Sequence, residues 1–206
     1  MTPHLDLALL LPALAVALAL RPWRLLAGGA LLAPMLGTLV LLPWLWALPS
    51  LRAMPLQLQL SGACLAVLML GWPLAVPVLV AVGALAALLA GQGWQAAADM
   101  AAWLGVVPAT LALALGAAIR RWIGPHLFVY VLGRAFLGTA LCVFAAGALA
   151  QWAGHALPAV DSGLSLVARW LMAWGDAFTT GMLAAIFVAF RPHWLATWSD
   201  RLYLGR

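Results

Sequence analysis

The chain has 206 residues, of which 67% are hydrophobic and only 7% charged, and its mean hydropathy is +1.10. A soluble globular domain carries roughly a quarter of its residues as charged side chains, so this composition argues against a soluble fold and for an integral membrane protein. The net charge of +5 arises from ten basic residues, all Arg, and five acidic residues, all Asp; in a membrane protein such an excess belongs to cytoplasmic loops, and no nucleic-acid partner is implied.

At about 20 apolar residues per spanning helix, there is room for roughly six to eight crossings and for no sizeable soluble domain. The chain reads as one all-α integral membrane domain, residues 1–206, built as a polytopic helical bundle. Its first run, LDLALLLPALAVALAL, is apolar enough for a signal-peptide core. It lacks a basic segment before it, and Arg21 and Arg24 follow it instead, so a retained first helix is expected.

With that run at 5–20, further runs at about 28–49, 56–72, 74–91, 98–119, 127–152 and 164–190 make seven candidate crossings. The third and fourth are short and joined by Gly71, Trp72 and Pro73; one broken or re-entrant element is the alternative. With seven crossings and an external N-terminus, Arg21, Arg24, Arg120, Arg121, Arg191, Arg201 and Arg206 fall inside and Arg52 outside. That bias predicts an N-out, C-in arrangement.

Trp23, Trp122, Trp194 and Trp198 stand beside the proposed inner boundary, as interfacial aromatic residues do. Prolines at 12, 34, 43, 73, 77 and 108 predict kinked or interrupted helices. Small residues at 83, 84, 86 and 87, and Gly133, Gly138 and Gly147, predict close helix approach. Cys64 and Cys142 lie in apolar runs without CxxC spacing and read as small buried hydrophobes.

Asp176 is the residue hardest to reconcile with lipid. It lies about 20 Å from the boundary marked by Arg191, at 1.5 Å per helical residue. A carboxylate at the bilayer centre costs roughly 2.5–3.5 kcal/mol on translocon scales, so it should face the interior beside a partner or be protonated. Arg169, two turns away, and Arg134, on the preceding helix, are the candidate partners. The pair would either fix helix packing or form part of a gate, proton relay or substrate path. Thr179 and Thr180 can satisfy their hydroxyls one turn back.

Among the histidines, His126, His155 and His193 sit near predicted helix ends and read as ordinary interfacial residues. His4 differs, because the amine of Met1 and the carboxylate of Asp6 are close in sequence. Together they form a donor set suited to a divalent transition metal. Pro3 removes the backbone N–H that a square-planar amide chelate would use. Ser61 and Ser162 precede glycine but lie in neither GxSxG nor GxSG, and Cys142 with Arg134 and a histidine bears only faint similarity to membrane transpeptidases. An enzyme is not expected. No Walker A sequence is present, so ATP-driven work would need another subunit.

The stretches PLQLQLSGACLAVLMLGWPLA (55–75), WQAAADMAAWLGVVPATLALALGAAIRRWIGPHLFVYVLGRAFLG (94–138) and the RPHWLATWSDRLYL ending resemble the CbiM-like permease family of energy-coupling factor transporters, in its proteobacterial branch. The resemblance implies a seven-helix inner-membrane component that captures cobalt or nickel from outside and works with a transmembrane coupling protein and ATPase subunits. It also implies a metal site made of the N-terminal amine, a histidine directly after Met1 and a histidine on a later helix. Here position 2 is Thr, the nearest histidine is His4, and Gln59 stands where the later histidine is expected; Arg134 replaces an expected Asn. The metal residues carried over are thus Met1, His4 and Gln59, with Asp176, Arg134 and Arg169 as intramembrane polar residues. The alternative is a non-transporting membrane assembly or interaction protein with the same fold and a degenerate metal site.

Overall fold

The computed structural model describes residues 3–52, 60–155, 157 and 162–203. Among these the protein is all-helical. Its elements are α1 (Pro3–Ala19), α2 (Leu32–Arg52), α3 (Ala63–Leu70), α4 (Trp72–Leu89), α5 (Trp94–Asp99), α6 (Val107–Trp122), α7 (Gly138–Trp152), α8 (Ser162–Phe190) and α9 (Asp200–Tyr203). A π-helical stretch, Met100–Val106, joins α5 to α6, and another, Val129–Leu137, leads into α7.

Five helical stretches are long and apolar enough to cross a membrane: Leu32–Leu51, Trp72–Leu89, Trp94–Trp122, Val129–Trp152 and Gly163–Phe190. These match five of the expected runs. The first run forms the shorter apolar helix His4–Ala19. Large apolar side chains cover the outside, among them Leu88, Trp122, Trp152 and Phe190, each at least 75% exposed. Such a surface is stable against lipid and not against water.

The expected third crossing, 56–72, takes a different form. Of it, residues 60–62 are non-helical and only Ala63–Leu70 is helical; residues 56–59 lie outside the described residues. Those eight residues rise about 12 Å, too little to span by themselves, while the expected fourth run forms the separate long helix Trp72–Leu89. Gly71, at φ 73°, separates α3 from α4, and Gly62, at φ 64°, precedes α3. A side chain at Gly62 would be strained at that φ, and its Cβ would fall 2.6 Å from Leu42 Cδ1.

Seven of the eight residues of α3 are buried, and the helix packs against α2, α4, α6, α7 and α8. Its open ends therefore need partners from the protein. At the C-terminal end, the N–H of Ala196 donates to the Met69 carbonyl at 2.9 Å, and the Thr197 hydroxyl donates to that of Leu68 at 2.9 Å. At the other end the partner is Asp176. The chain around α8 thus closes both ends of α3.

The π-helical stretch before α6 has a local cause. Pro108 has no N–H and crowds the carbonyl four residues back, that of Leu104. The Ser61 hydroxyl donates to this freed carbonyl at 2.6 Å. Gly83 lets α4 approach the same stretch closely: a Cβ there would lie 2.9 Å from both Ala101 Cβ and the Ala97 carbonyl oxygen.

Candidate cation site at one end of the bundle

Asp176 is 2% exposed, and it forms no ion pair with an arginine among the described residues. Its Oδ2 accepts the Ser61 N–H at 2.7 Å, and its Oδ1 accepts the Gly62 N–H at 3.0 Å. This corrects the expectation of an Arg134 or Arg169 partner. A carboxylate at a helix N-terminus is favoured by the unpaired amides and the helix dipole together. The segment is satisfied throughout, because Trp46 Nε1–H donates to the Ser61 carbonyl at 3.0 Å and the Ala63 N–H donates to the Ser61 hydroxyl at 3.2 Å. Thr179 bonds back to the Gly175 carbonyl, as expected.

The two arginines go elsewhere. Arg169 donates from a terminal nitrogen to the His155 carbonyl at 2.6 Å, while its buried Nε has no hydrogen-bond partner among the described residues. Arg134 lies over the Tyr130 ring, 5.7 Å from its centroid.

A different group of ionisable side chains comes together near the start of α1, at the end of α5 and just after α7. Asp6, Asp99 and His155 each offer a donor atom, and these atoms all lie within 4.8 Å of one another. The His155 side chain is 9% exposed and that of Asp6 is 6% exposed. His155 Nδ1 approaches Asp99 Oδ1 to 2.7 Å and its Nε2 lies 3.7 Å from Asp6 Oδ1. The Nδ1–Asp99 contact is an ion-pair contact without the alignment of a hydrogen bond, and neither imidazole nitrogen, nor Asp99 Oδ1, makes a hydrogen bond elsewhere among the described residues. His155 is therefore not the ordinary interfacial residue its place in the sequence suggests.

Trp103 supports the cluster from the π-helical stretch. Its indole N–H donates to Asp6 Oδ1 at 2.9 Å, and its ring lies 5.1 Å from the His155 ring, centroid to centroid. One side chain thus orients a carboxylate and an imidazole together. π-Helical insertions of this kind recur at functional sites because they re-aim side chains.

Chemically, two carboxylates and an imidazole form an oxygen- and nitrogen-rich set suited to a divalent first-row metal. Metal–ligand bonds of about 2.1 Å bring donors to roughly 3–4 Å of one another. The observed spacing needs only a small contraction to meet that.

His4 is exposed at the start of α1 and takes no part in this cluster; Asp6, its neighbour in the expected donor set, does. Met1 and Gln59 lie outside the described residues. Sequence reading passed over Asp99, His155 and Trp103. One signal did exist: alternating crossings put the start of the first run, the start of the fifth and the end of the sixth on one side of the membrane.

The helices that begin or end at this cluster carry arginines at their far ends. Arg21 and Arg24 follow α1, Arg120 and Arg121 close α6, and Arg191 follows α8. The cluster and these five arginines therefore mark opposite ends of the bundle, while Arg169 lies at the cluster end, on the His155 carbonyl. No protein-family model, no curated protein and no solved structure matches this chain.

Proposed function

We propose that the chain is a membrane permease or substrate-capture component for a divalent transition-metal cation, cobalt or nickel before others. The observation that carries this reading is the meeting of His155, its side chain 9% exposed, with two aspartates from separate helices: Nδ1 is 2.7 Å from Asp99, Nε2 is 3.7 Å from Asp6, and one donor atom from each residue lies within 4.8 Å of the others. The paired carboxylates supply the negative charge that a divalent ion needs.

In this reading the N-terminus lies outside, because the arginine-rich end belongs in the cytoplasm. The cation enters from the external face, and Asp6, Asp99 and His155 replace part of its water shell. Energy for release inward comes from ATPase subunits acting through a transmembrane coupling protein, as the resemblance to energy-coupling factor permeases implies. The inner membrane is the corresponding location. Asp176 holds α3 in place across the middle of the bundle and is a framework residue in this scheme.

The test is elemental analysis and calorimetry on the purified protein with nickel, cobalt, copper and zinc, repeated with His155→Ala and Asp99→Asn. One site per chain, lost in both variants, is expected. Absence of binding to all four ions, or binding that survives His155→Ala, overturns the reading and leaves a membrane assembly protein with an unused site. Uptake of labelled cobalt or nickel into cells then separates capture from transport.

A further inference from the structure

The arginine-rich end holds a cavity of about 260 Å³, lined by Gly116, Arg120, Arg134, Thr197, Trp198 and Ser199 among others. It lies between α6, the π-helical stretch that carries Arg134 and the segment after α8. Neither Arg120 nor Arg134 forms an ion pair among the described residues. The acid nearest in sequence to this cavity, Asp200, is exposed and accepts the Trp198 indole N–H at 2.6 Å. Two guanidinium groups thus share a cavity with no carboxylate in its lining.

Arg134 is also held for this task. Its Nε, Cζ and Nη2 lie 2.7–2.9 Å from where a Cβ on Gly116 would stand, so the guanidinium rests directly on the backbone of α6. The Tyr130 ring supports it on another side. Any side chain at position 116 would push it out. Tyr130 in turn is fixed by a 2.8 Å hydrogen bond between its hydroxyl and that of Thr197. Ser199, half-buried, adds a hydroxyl to the lining.

We propose that this cavity is a binding site for a phosphate group, carried by the headgroup of an anionic phospholipid. A planar guanidinium matches phosphate oxygens in a two-pronged fashion, and basic pockets between membrane helices are suited to phosphate-bearing headgroups. The height is appropriate. Trp122, 80% exposed and one residue beyond the Arg120–Arg121 pair, marks the interfacial level where headgroups lie. The site stands at the opposite end from Asp6, Asp99 and His155 and is independent of the cation reading.

The experiment is native mass spectrometry of the purified chain, counting retained phosphatidylglycerol against phosphatidylcholine, with inorganic phosphate as a competitor. One phosphatidylglycerol per chain, retained at least tenfold better than phosphatidylcholine, is expected. Arg134→Gln and Gly116→Ala should each lower that preference about tenfold. Because Arg134 is partly buried, Arg120→Gln serves as the variant that leaves the fold intact, with a smaller loss of about threefold. Competition by millimolar phosphate supports the site and makes free phosphate a sufficient ligand; resistance to phosphate, with the lipid preference kept, supports the site and assigns it to the headgroup. Equal retention of both lipids without phosphate binding overturns the proposal, as does an unchanged preference in both arginine variants.

Discussion

Asp176 and Asp6 are buried carboxylates in one apolar bundle, and Asp99 beside Asp6 is half-buried, yet their surroundings differ. Each Asp176 oxygen accepts a backbone N–H. Asp99 Oδ1 instead faces His155 Nδ1 at 2.7 Å without an aligned hydrogen bond, and neither atom has a hydrogen-bond partner elsewhere among the described residues. Burial alone therefore does not mark a functional site in a membrane protein. A satisfied carboxylate closes an interruption in the fold, whereas an unsatisfied cluster keeps its lone pairs available for a ligand.

The contrast can be broken most sharply at His155. His155→Ala should weaken nickel or cobalt binding at least ~100-fold by calorimetry; it also leaves Asp6 and Asp99 facing one another without the imidazole, so some loss of thermal stability in the metal-free protein is expected with it. Protons compete with metal for the same lone pairs, so wild-type binding should weaken as pH falls. Stronger binding at acidic pH would contradict the site.

Asp176→Asn should do the converse. Its amide presents N–H groups to at least one of the two donors now facing the carboxylate, at a cost of roughly 1–3 kcal/mol. A lowered unfolding midpoint in detergent with metal affinity within about threefold of wild type is expected. Intact stability with lost metal binding would move Asp176 from framework to site. The smaller Trp103→Phe change removes the N–H that orients Asp6 while keeping an aromatic ring beside His155. About tenfold weaker metal binding is expected, in the range that supporting hydrogen bonds contribute at metal sites.

The smallest effect is expected at His4. It is exposed and away from the Asp6–Asp99–His155 cluster, so His4→Ala should change metal affinity by less than about twofold. A large loss would instead place the ligand set at the extreme N-terminus, with Met1, as the family resemblance implies.

Particular elements show how far the sequence could be read. The five long runs were legible because a helix crossing lipid must satisfy its own backbone and present apolar side chains, which leaves a continuous hydrophobic signal. The run at 56–72 was harder. Its interruption is stabilised by Asp176, 115 residues from Ser61 in the chain, and by the segment 196–197, so nothing local announces it beyond Gly62 and Gly71. Arg134 and Arg169 were visible as charges inside apolar runs, but their true neighbours are a tyrosine ring and a backbone carbonyl, neither of which carries a charge pattern.

What the sequence by itself determined is the membrane class, the helical runs and the arginine bias between their ends, because hydropathy and charge act residue by residue along the chain. What only the tertiary structure decided is which polar groups meet. Asp6 and Asp99 come from two separate helices and His155 from the segment after a third, and the seat of Asp176 depends on a backbone segment that is not helical. Such meetings are set by how helices pack and where their backbone breaks, and in a uniformly apolar sequence many packings share the same pattern until the buried polar groups select one.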